Sequence, residues 1–264
     1  MEQIDLKQEL AAQANAPATK EEVKLKKNMA IPDMVKAMMP EIRRALPTVI
    51  TPERFTRIAL SALNNTPALQ QCTPMSFLAA LMNAAQLGLE PNTPLGQAYL
   101  IPYKNKGNLE CQFQIGYKGL IDLAYRNGQI QTIQAQAVYE HDFFEYEYGL
   151  EPRLVHKPAF SDRGDVIYFY AIFKTVNGGF GMAVMSKADM DLYAKTYSKA
   201  FDSSYSPWKT DYESMAKKTV IKQALKYAPI KTDFQRALST DETIKKEISD
   251  DMFSVKNEEI ELVA

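Results

Sequence analysis

Hydrophobic residues in the first third of the chain recur at the three- and four-residue spacing of helices that bury one face. Between residues 31 and 46 this spacing predicts a helical segment that Pro40 splits in two, because proline cannot donate the helical hydrogen bond. Thr51-Pro52-Glu53 and Thr73-Pro74 are typical helix starts, with a capping hydroxyl ahead of a proline. Leu87-Gly88 is a typical helix end. The pattern therefore predicts several helices before residue 88.

After Gly88 the period changes to alternation, which is typical of strands. Residues 97–103 and 109–117 predict a β-hairpin whose tip, residues 104–108, carries two lysines and a glycine. Residues 129–139 alternate apolar and amide side chains, which indicates a half-buried strand. The remaining predicted strands span about 143–148, 153–156, 165–175 and 180–186, the last two joined by a glycine-rich turn.

Helices are predicted within and after these strands. A short helix is expected at about 118–127, and another begins at a capping-box-like pattern at Ser186. Trp208 leads into a long helix that reaches about Tyr227, and a short helix near 233–238 follows. Helices before, within and after strands indicate an α+β fold in a single domain, with a central antiparallel sheet and a basic β-hairpin.

Charge is distributed unevenly along the 264 residues, although the net charge is only −1. Residues 29–236 carry a net charge of +4, and the last 28 residues carry −5. We predict a flexible N-terminal arm at 1–30, a folded core at 31–240 and an acidic, mobile tail at 241–264. The basic body suggests a polyanionic partner. The tail is expected to be a docking segment or an electrostatic mimic that competes for the same surface.

Several protein classes are excluded by composition. No run of about 18 apolar residues occurs, which excludes a membrane-spanning helix, and the first residues lack the layout of a signal peptide. Cys72 and Cys111 are the two cysteines, too few for a disulfide framework or a thiolate zinc site. We therefore expect a cytoplasmic protein.

Motifs for covalent chemistry are absent. The sequence contains no phosphate-binding GxxxxGK[ST], no GxGxxG after a strand and no GxSxG, and His141 and His156 lack zinc-ligand spacing. Glu145 and Glu147 share one face of a predicted strand, which leaves a metal-dependent nuclease as a minor alternative to a plain polar strand face. We expect no enzyme activity and no ATP or other cofactor, with Mg²⁺ only modulating function.

Basic residues are the more informative feature. Five lysines and no acid occur between Ser214 and Thr232. Lys218, Lys222 and Lys226 are spaced i, i+4, i+8, so they stack on one helix face about 6 Å apart, close to the phosphate spacing of an extended single strand. A solubilising surface is an equally good explanation of this spacing.

A second basic group combines lysines with aromatic residues. Lys104 and Lys106 lie at the hairpin tip, Lys118 and Arg126 lie on the helix that follows, and tyrosines, including Tyr103, are interleaved with them. Such a mixture suits single-stranded nucleic acid, because bases stack on aromatics while lysines neutralise phosphates. We expect the binding groove between the 99–117 hairpin and the 209–227 helix.

At these segments the chain resembles the RecT family of phage recombinases. The matching stretches are Leu87-Gly-Leu-Glu-Pro91, Leu95-Gly-Gln-Ala-Tyr-Leu-Ile-Pro-Tyr103, Ile115-Gly-Tyr-Lys-Gly-Leu-Ile-Asp-Leu-Ala124, Arg126-Asn-Gly-Gln-Ile130 and Met215-Ala-Lys-Lys-Thr219. They occur in order with similar gaps between about residues 31 and 240, and jointly they are specific.

The resemblance implies an ATP-independent protein that coats single-stranded DNA as a homo-oligomeric ring or helical filament and pairs it with a complementary strand. It implies a phage or prophage origin in a bacterial host, and binding to the annealed duplex. It also implies a 5′-to-3′ exonuclease and the host single-strand-binding protein as partners. The family's basic or polar positions correspond here to Asn105, Lys106, Lys118, Arg126, Lys217, Lys218, Lys222 and Lys226. Lys104 departs from the family pattern.

The rival hypothesis is an interaction module whose lysine-rich face binds an acidic protein partner, without nucleic acid. Both readings use the same lysines, so only a binding experiment separates them.

Overall fold

The computed structural model describes residues 29–198, 201–203, 206–229, 239, 241, 243–249, 252, 255 and 256. The arm predicted at 1–30, apart from its last two residues, and the helix near 233–238 lie outside the described residues. Within the predicted tail, Asp241, Ile244, Lys245 and Met252 are described, and all four are buried. The division of the chain into arm, core and tail stays a prediction.

Short helices form the N-terminal part of the described chain, as the apolar spacing predicts. They are α1 (Ile31–Ala37), α2 (Met39–Ala45), α3 (Pro52–Asn65), a 3-10 turn (Pro67–Gln71) and α4 (Pro74–Leu87). The hydroxyl of Thr51 accepts a hydrogen bond from the backbone of Arg54, so the predicted cap of α3 is confirmed. Gly88 ends α4 with a φ of 58°, a conformation that strains any residue with a side chain.

A β-hairpin and a helix follow. Strand β1 (Ala98–Asn105) pairs antiparallel with β2 (Asn108–Ile115), and α5 (Tyr117–Arg126) comes next. Lys106 and Gly107 form the turn with φ values of 46° and 86°. Two positive φ values match the right-handed twist of the strands, so this turn closes the hairpin without splaying it.

Two further antiparallel sheets complete the strand arrangement. The larger has the order β3 (Ile130–Tyr139), β6 (Val166–Thr175), β7 (Phe180–Ser186), and the smaller pairs β4 (Phe143–Glu147) with β5 (Arg153–Lys157). In β3, Ile133 and Ala137 are buried whereas Gln134 and Gln136 are exposed. The predicted amide-rich outer face is thus confirmed.

Helices return after β7 as α6 (Lys187–Tyr197), α7 (Pro207–Thr210) and α8 (Tyr212–Leu225). The prediction of one long helix from Trp208 is wrong in one respect, because the helix breaks at Asp211. The φ of Asp211 is −148°, and its carboxylate accepts a hydrogen bond from the backbone of Ser214 to cap α8. A capping acid favours a new helix start over continuation of the old one.

The main core lies between these layers. α8 packs on the inner face of β3, β6 and β7, and α4 packs on β2. Phe113, Phe169 and Val220 are among the fully or almost fully buried side chains that fill the space. The fold class is therefore α+β, as predicted. Among the described residues, no helix has the length and apolar character needed to cross a membrane.

Candidate nucleic-acid interface

A cleft of about 200 Å³ separates the β1–β2 hairpin from α8, where the groove is predicted. On the hairpin side it is lined by Tyr99, Ile101, Gln114, Ile115 and Tyr117. On the other side it is lined by Pro207, Asp211, Ser214, Met215 and Lys218. Its walls therefore combine aromatic, amide and charged side chains.

A second pocket of about 230 Å³ continues beyond this cleft. Met215 and Lys218 line both spaces. The second pocket also contains Trp208 and a pair of tyrosine rings, Tyr193 and Tyr197, whose centroids are 4.5 Å apart. Tyr197 is 69% exposed, so its ring is available to stack against a planar ligand.

Alternation along β1 directs Tyr99 to the cleft. Tyr99 and Ile101 line it, while Ala98 and Leu100 point into the core. Burial raises the pKa of Tyr99, and nearby Asp211 and Tyr117 raise it further, against an opposing effect of the Lys218 charge. Tyr99 lines the same cleft as Asp211 and Lys218, so its side chain lies between the hairpin and α8.

Two glycines fix α5 beside the cleft. A Cβ atom added to Gly116 would lie 2.2 Å from the backbone oxygen of Gly96, and one added to Gly119 would lie 2.1 Å from that of Gln97. Real Cβ atoms do not come so close to an oxygen, so only glycine allows the loop at residues 96–97 to touch the helix. This contact holds Tyr117 in the wall of the cleft, and Lys118 is exposed at the next position.

The lysines of α8 do not form the exposed row that their spacing suggests. Lys218 is only 3% exposed, Lys222 is half-buried and Lys226 is exposed just beyond the helix end. Spacing on a helix shows which side chains share a face, but it does not show whether that face is exposed. Along α8 the shared face is buried at Lys218 and exposed at Lys226. An exposed phosphate track running through all three residues is therefore wrong for the free protein.

An acid from outside the helix neutralises two of these lysines. The ammonium nitrogens of Lys218 and Lys222 lie 2.9 and 3.1 Å from the carboxylate of Asp241. The backbone N–H of Ile115 donates to the same carboxylate over 2.7 Å. Burial alone would raise the pKa of Asp241, but the two lysine charges and the hydrogen bonds together hold that pKa below its ordinary value.

Lys217 also has a partner. Its ammonium nitrogen lies 2.6 Å from the carboxylate of Glu213, one turn earlier on α8. Residues 214–232 contain no acid, but Glu213 and Asp241, on either side of that range, pair with its lysines.

The predicted hairpin residues divide by exposure. Lys104 and Lys106 are exposed, Tyr103 is half-buried, and burial raises the pKa of Tyr103. Asn105 is only 2% exposed and donates to Glu110 over 2.9 Å, so its amide supports the hairpin instead of facing solvent. The tip therefore presents two cations above a buried polar pair.

Arg126 and Lys118 occupy opposite ends of α5. Lys118 is exposed at the first turn. Arg126 donates to the carbonyl oxygens of Leu87 (2.6 Å) and Gly88 (2.9 Å) and pairs with Asp122. Its guanidinium therefore supplies hydrogen-bond donors to carbonyl oxygens at the end of α4. The sequence did not reveal this structural role.

The acidic residues near 140–151 either face solvent or pair within the protein. Glu145 and Glu147 are exposed on β4. The carboxylate of Asp142 is fully buried and accepts hydrogen bonds from Arg163 and His156. The Arg163 guanidinium is the main reason that the pKa of Asp142 lies well below its usual range. Among the described residues, no cluster of three or more His, Cys, Asp or Glu side chains could hold a metal ion.

Comparison with known proteins identifies the family of this chain. The model of the RecT family matches residues 53–256, which include the hairpin, α5 and α8. The chain belongs to the RecT family.

Two relatives extend the match. The chain is 41% identical over 210 residues to Protein RecT of Escherichia coli K12, which covers 78% of this chain and 77% of the relative. It is 30% identical over 239 residues to the uncharacterized protein YqaK of Bacillus subtilis 168, which covers 89% and 78%. Membership of the RecT family supports a DNA recombination and annealing protein.

Three residues of this candidate site were missed by sequence reasoning. Tyr99 could have been found, since it shares a strand face with Ile101 and Tyr103 at every second position. Asp211 could have been recognised as a helix cap before Ser214. Asp241 had no local signal, because it meets Lys218 only through the fold.

Proposed function

We propose that this protein anneals complementary single strands of DNA without ATP, coating the strand as a homo-oligomeric ring or helical filament during phage-type homologous recombination. The observation that carries the proposal is the cleft between the β1–β2 hairpin and α8. Tyrosines, a glutamine and Lys218 line this cleft, and the elements that form it, the hairpin, α5 and α8, also carry exposed lysines at the hairpin tip, the first turn of α5 and the end of α8.

Electrostatics explains how such a surface would act. Two complementary strands repel one another through their phosphates, and cations that release condensed counterions favour binding. A groove that holds the backbone while bases remain accessible allows a second strand to test its pairing. Each subunit offers only a few exposed lysines at this site, so strong binding requires many copies along one strand.

The tyrosines would bind the bases, whereas the lysines bind the phosphates. Tyr99 is 40% exposed in the cleft, and Tyr197 is 69% exposed in the second pocket. Stacking of a base on an exposed aromatic ring contributes about 1–3 kcal/mol and tolerates every base. Such contacts suit a protein that must accept any sequence.

The reaction itself forms no covalent bond. Pairing of two strands is downhill once repulsion is suppressed, so the proposal requires neither ATP nor a catalytic residue, and Mg²⁺ is expected only to modulate annealing. The DNA contacts proposed are Tyr103, Lys104, Asn105, Lys106, Lys118, Arg126, Lys217, Lys218, Lys222 and Lys226. Asn105 and Arg126 would act chiefly by supporting the hairpin and α5, given their hydrogen bonds.

The cellular setting follows from the same proposal. A protein that anneals single strands needs a 5′-to-3′ exonuclease to expose them, and it meets the host single-strand-binding protein on that DNA. We place it in the cytoplasm of a bacterial host, with a phage or prophage origin, bound first to single-stranded DNA and then to the annealed duplex.

An annealing assay tests the proposal directly. Labelled complementary oligonucleotides, without ATP, should pair faster with the protein, whereas non-complementary ones should stay single. Fluorescence anisotropy on single-stranded and duplex oligonucleotides across a salt series should show binding that weakens as salt rises. Absence of both binding and faster pairing at low salt would refute the proposal and favour an acidic protein partner. Shortened DNA after incubation with magnesium would instead indicate a nuclease.

A further inference from the structure

Three hydrogen-bond donors converge on one buried point between β2 and α8. They are the ammonium groups of Lys218 and Lys222 and the backbone N–H of Ile115, and the carboxylate of Asp241 accepts from all three at 2.7 to 3.1 Å. We call these three donors the anion cradle. Two positive charges and an amide directed at one acceptor form a site for an anion with two oxygens.

The present occupant of the anion cradle comes from the C-terminal segment. Asp241 has a fully buried carboxylate, while Thr243 pairs with Phe113 on the edge of β2 through a hydrogen bond of 3.4 Å. Lys246 lies 3.9 Å from the carboxylate of Glu110. Both of these edge contacts are long, whereas the carboxylate of Asp241 accepts its hydrogen bonds over 2.7 to 3.1 Å.

The cradle opens onto the proposed DNA surface. Ile115 and Lys218 line the cleft beside the hairpin, and Lys218 and Lys222 line the second pocket. An anion that followed the cleft into the second pocket would therefore pass the point that Asp241 occupies.

We propose that the anion cradle is a phosphodiester site of the DNA-binding surface and that Asp241 is its internal occupant, which a DNA phosphate displaces. This inference rests on the proposed function. A phosphodiester and a carboxylate each present two oxygens that share one negative charge. The exchange therefore replaces one monoanion by another and never leaves Lys218 buried without a counter-charge, which would be strongly unfavourable.

The exchange reconciles two observations about Lys218. The side chain is almost completely buried in the free protein, yet it lines the cleft where DNA would bind. The pairing of Lys218 with Asp241 keeps small anions out of the anion cradle. Only a polyanion that also binds the neighbouring exposed lysines gains enough binding free energy to displace Asp241. Ile244 is buried, so the segment stays attached to the body while Asp241 leaves.

Carboxylate labelling of the unmodified protein provides the first test. A carbodiimide with glycine ethyl ester couples to accessible carboxylates, and mass spectrometry locates the product. Asp241 should be unreactive in the free protein and should become labelled several-fold more when a saturating single-stranded oligonucleotide is added. Glu247 is exposed on the same segment and should be labelled in both states. Asp241 that stays unlabelled while the oligonucleotide is bound would overturn the exchange.

Charge removal provides the second test. Asp241→Asn keeps the shape and removes the competing anion, but it leaves Lys218 and Lys222 without their carboxylate, so the free variant should melt at a lower temperature than the unmodified protein. A DNA phosphate that enters the cradle restores the negative charge. Single-stranded DNA should therefore bind about fivefold more tightly at 0.1 M salt and should raise the melting temperature of this variant by more than that of the unmodified protein. Glu247→Gln is the matched control, since it removes the same charge from an exposed position, and it should change neither quantity as much.

The outcomes separate this inference from the proposed function. If the unmodified protein fails to bind single-stranded DNA, the proposed function is wrong. If it binds, but Asp241 stays unlabelled and Asp241→Asn behaves like Glu247→Gln, only the exchange is wrong. If Asp241→Asn does not fold, as judged by its thermal melt, the labelling of the unmodified protein decides.

Discussion

The amines of Lys104, Lys118 and Lys226 are exposed and have no ion pair among the described residues, so a DNA phosphate could reach them without breaking an existing contact. They come from three elements around the cleft: β1, α5 and the end of α8. Replacing all three by alanine removes cations while leaving the buried Lys218–Asp241 pair intact. The effect should therefore fall on DNA binding and not on folding.

The size of the effect follows from counterion release. On single strands, the logarithm of the binding constant falls with that of the salt concentration by about 0.7 per neutralised phosphate. Three lost contacts should lower the slope by about 2 per bound subunit. At about 0.1 M salt this corresponds to roughly 100-fold weaker binding, or about 3 kcal/mol.

Fluorescence anisotropy with a labelled oligonucleotide, from about 50 to 300 mM salt, would measure both quantities. The matched control is Lys36→Ala, Lys157→Ala and Lys174→Ala, which removes three lysines from α1, β5 and β6, outside the cleft. Thermal melts of both triple variants should match that of the unmodified protein, because all six lysines lie at the surface.

A salt slope that is unchanged in the Lys104, Lys118 and Lys226 variant would refute a role of these three lysines in binding phosphates. Equal losses in the two triple variants would also refute it, because they would show that net charge matters and the position of the lysines does not.

Three further predictions concern the framework of the fold. Arg126→Ala should destabilise the fold by about 1–3 kcal/mol, because carbonyl oxygens at the end of α4 lose their donor; an unchanged urea midpoint would contradict this. Gly119→Ala should cost about 2 kcal/mol, since its Cβ would meet the oxygen of Gln97, and a melting temperature equal to the parent's would disprove the clash. Asp142 has a lowered pKa beside Arg163, so its stabilisation is present above its ordinary pKa of 3.8 and is lost as pH falls toward the folded value. In urea unfolding at about pH 5 and below, the free energy of unfolding of Asp142→Asn should fall less steeply with decreasing pH than that of the unmodified protein.

Much of the fold could be predicted because its signals are local. The cap at Thr51, the end of α4 at Gly88 and the alternation along β3 depend on residues within a few positions of one another. The turn at Lys106-Gly107 likewise follows from the freedom of glycine at positive φ. The break at Asp211 is local as well, but the apolar pattern on both sides of it conceals the change of helix.

The site could be predicted only in outline. Its location between the hairpin and α8 follows from where basic and aromatic residues cluster, and the cleft lies there. Which lysine faces solvent does not follow, because helical spacing places residues on one face without saying what covers that face. Only the fold shows that Lys218 lies under the C-terminal segment.

Sequence by itself therefore determined the elements, their α+β arrangement, the missing motifs of covalent chemistry and the basic character of the central region. Tertiary structure decided which of those charges are available. Asp241 meets Lys218 across 23 positions, and Arg126 meets the end of α4 across 38 or 39. Coulomb attraction and hydrogen bonding depend on separation in space, and a folded chain brings distant positions within 3 Å without leaving any periodic trace in the sequence.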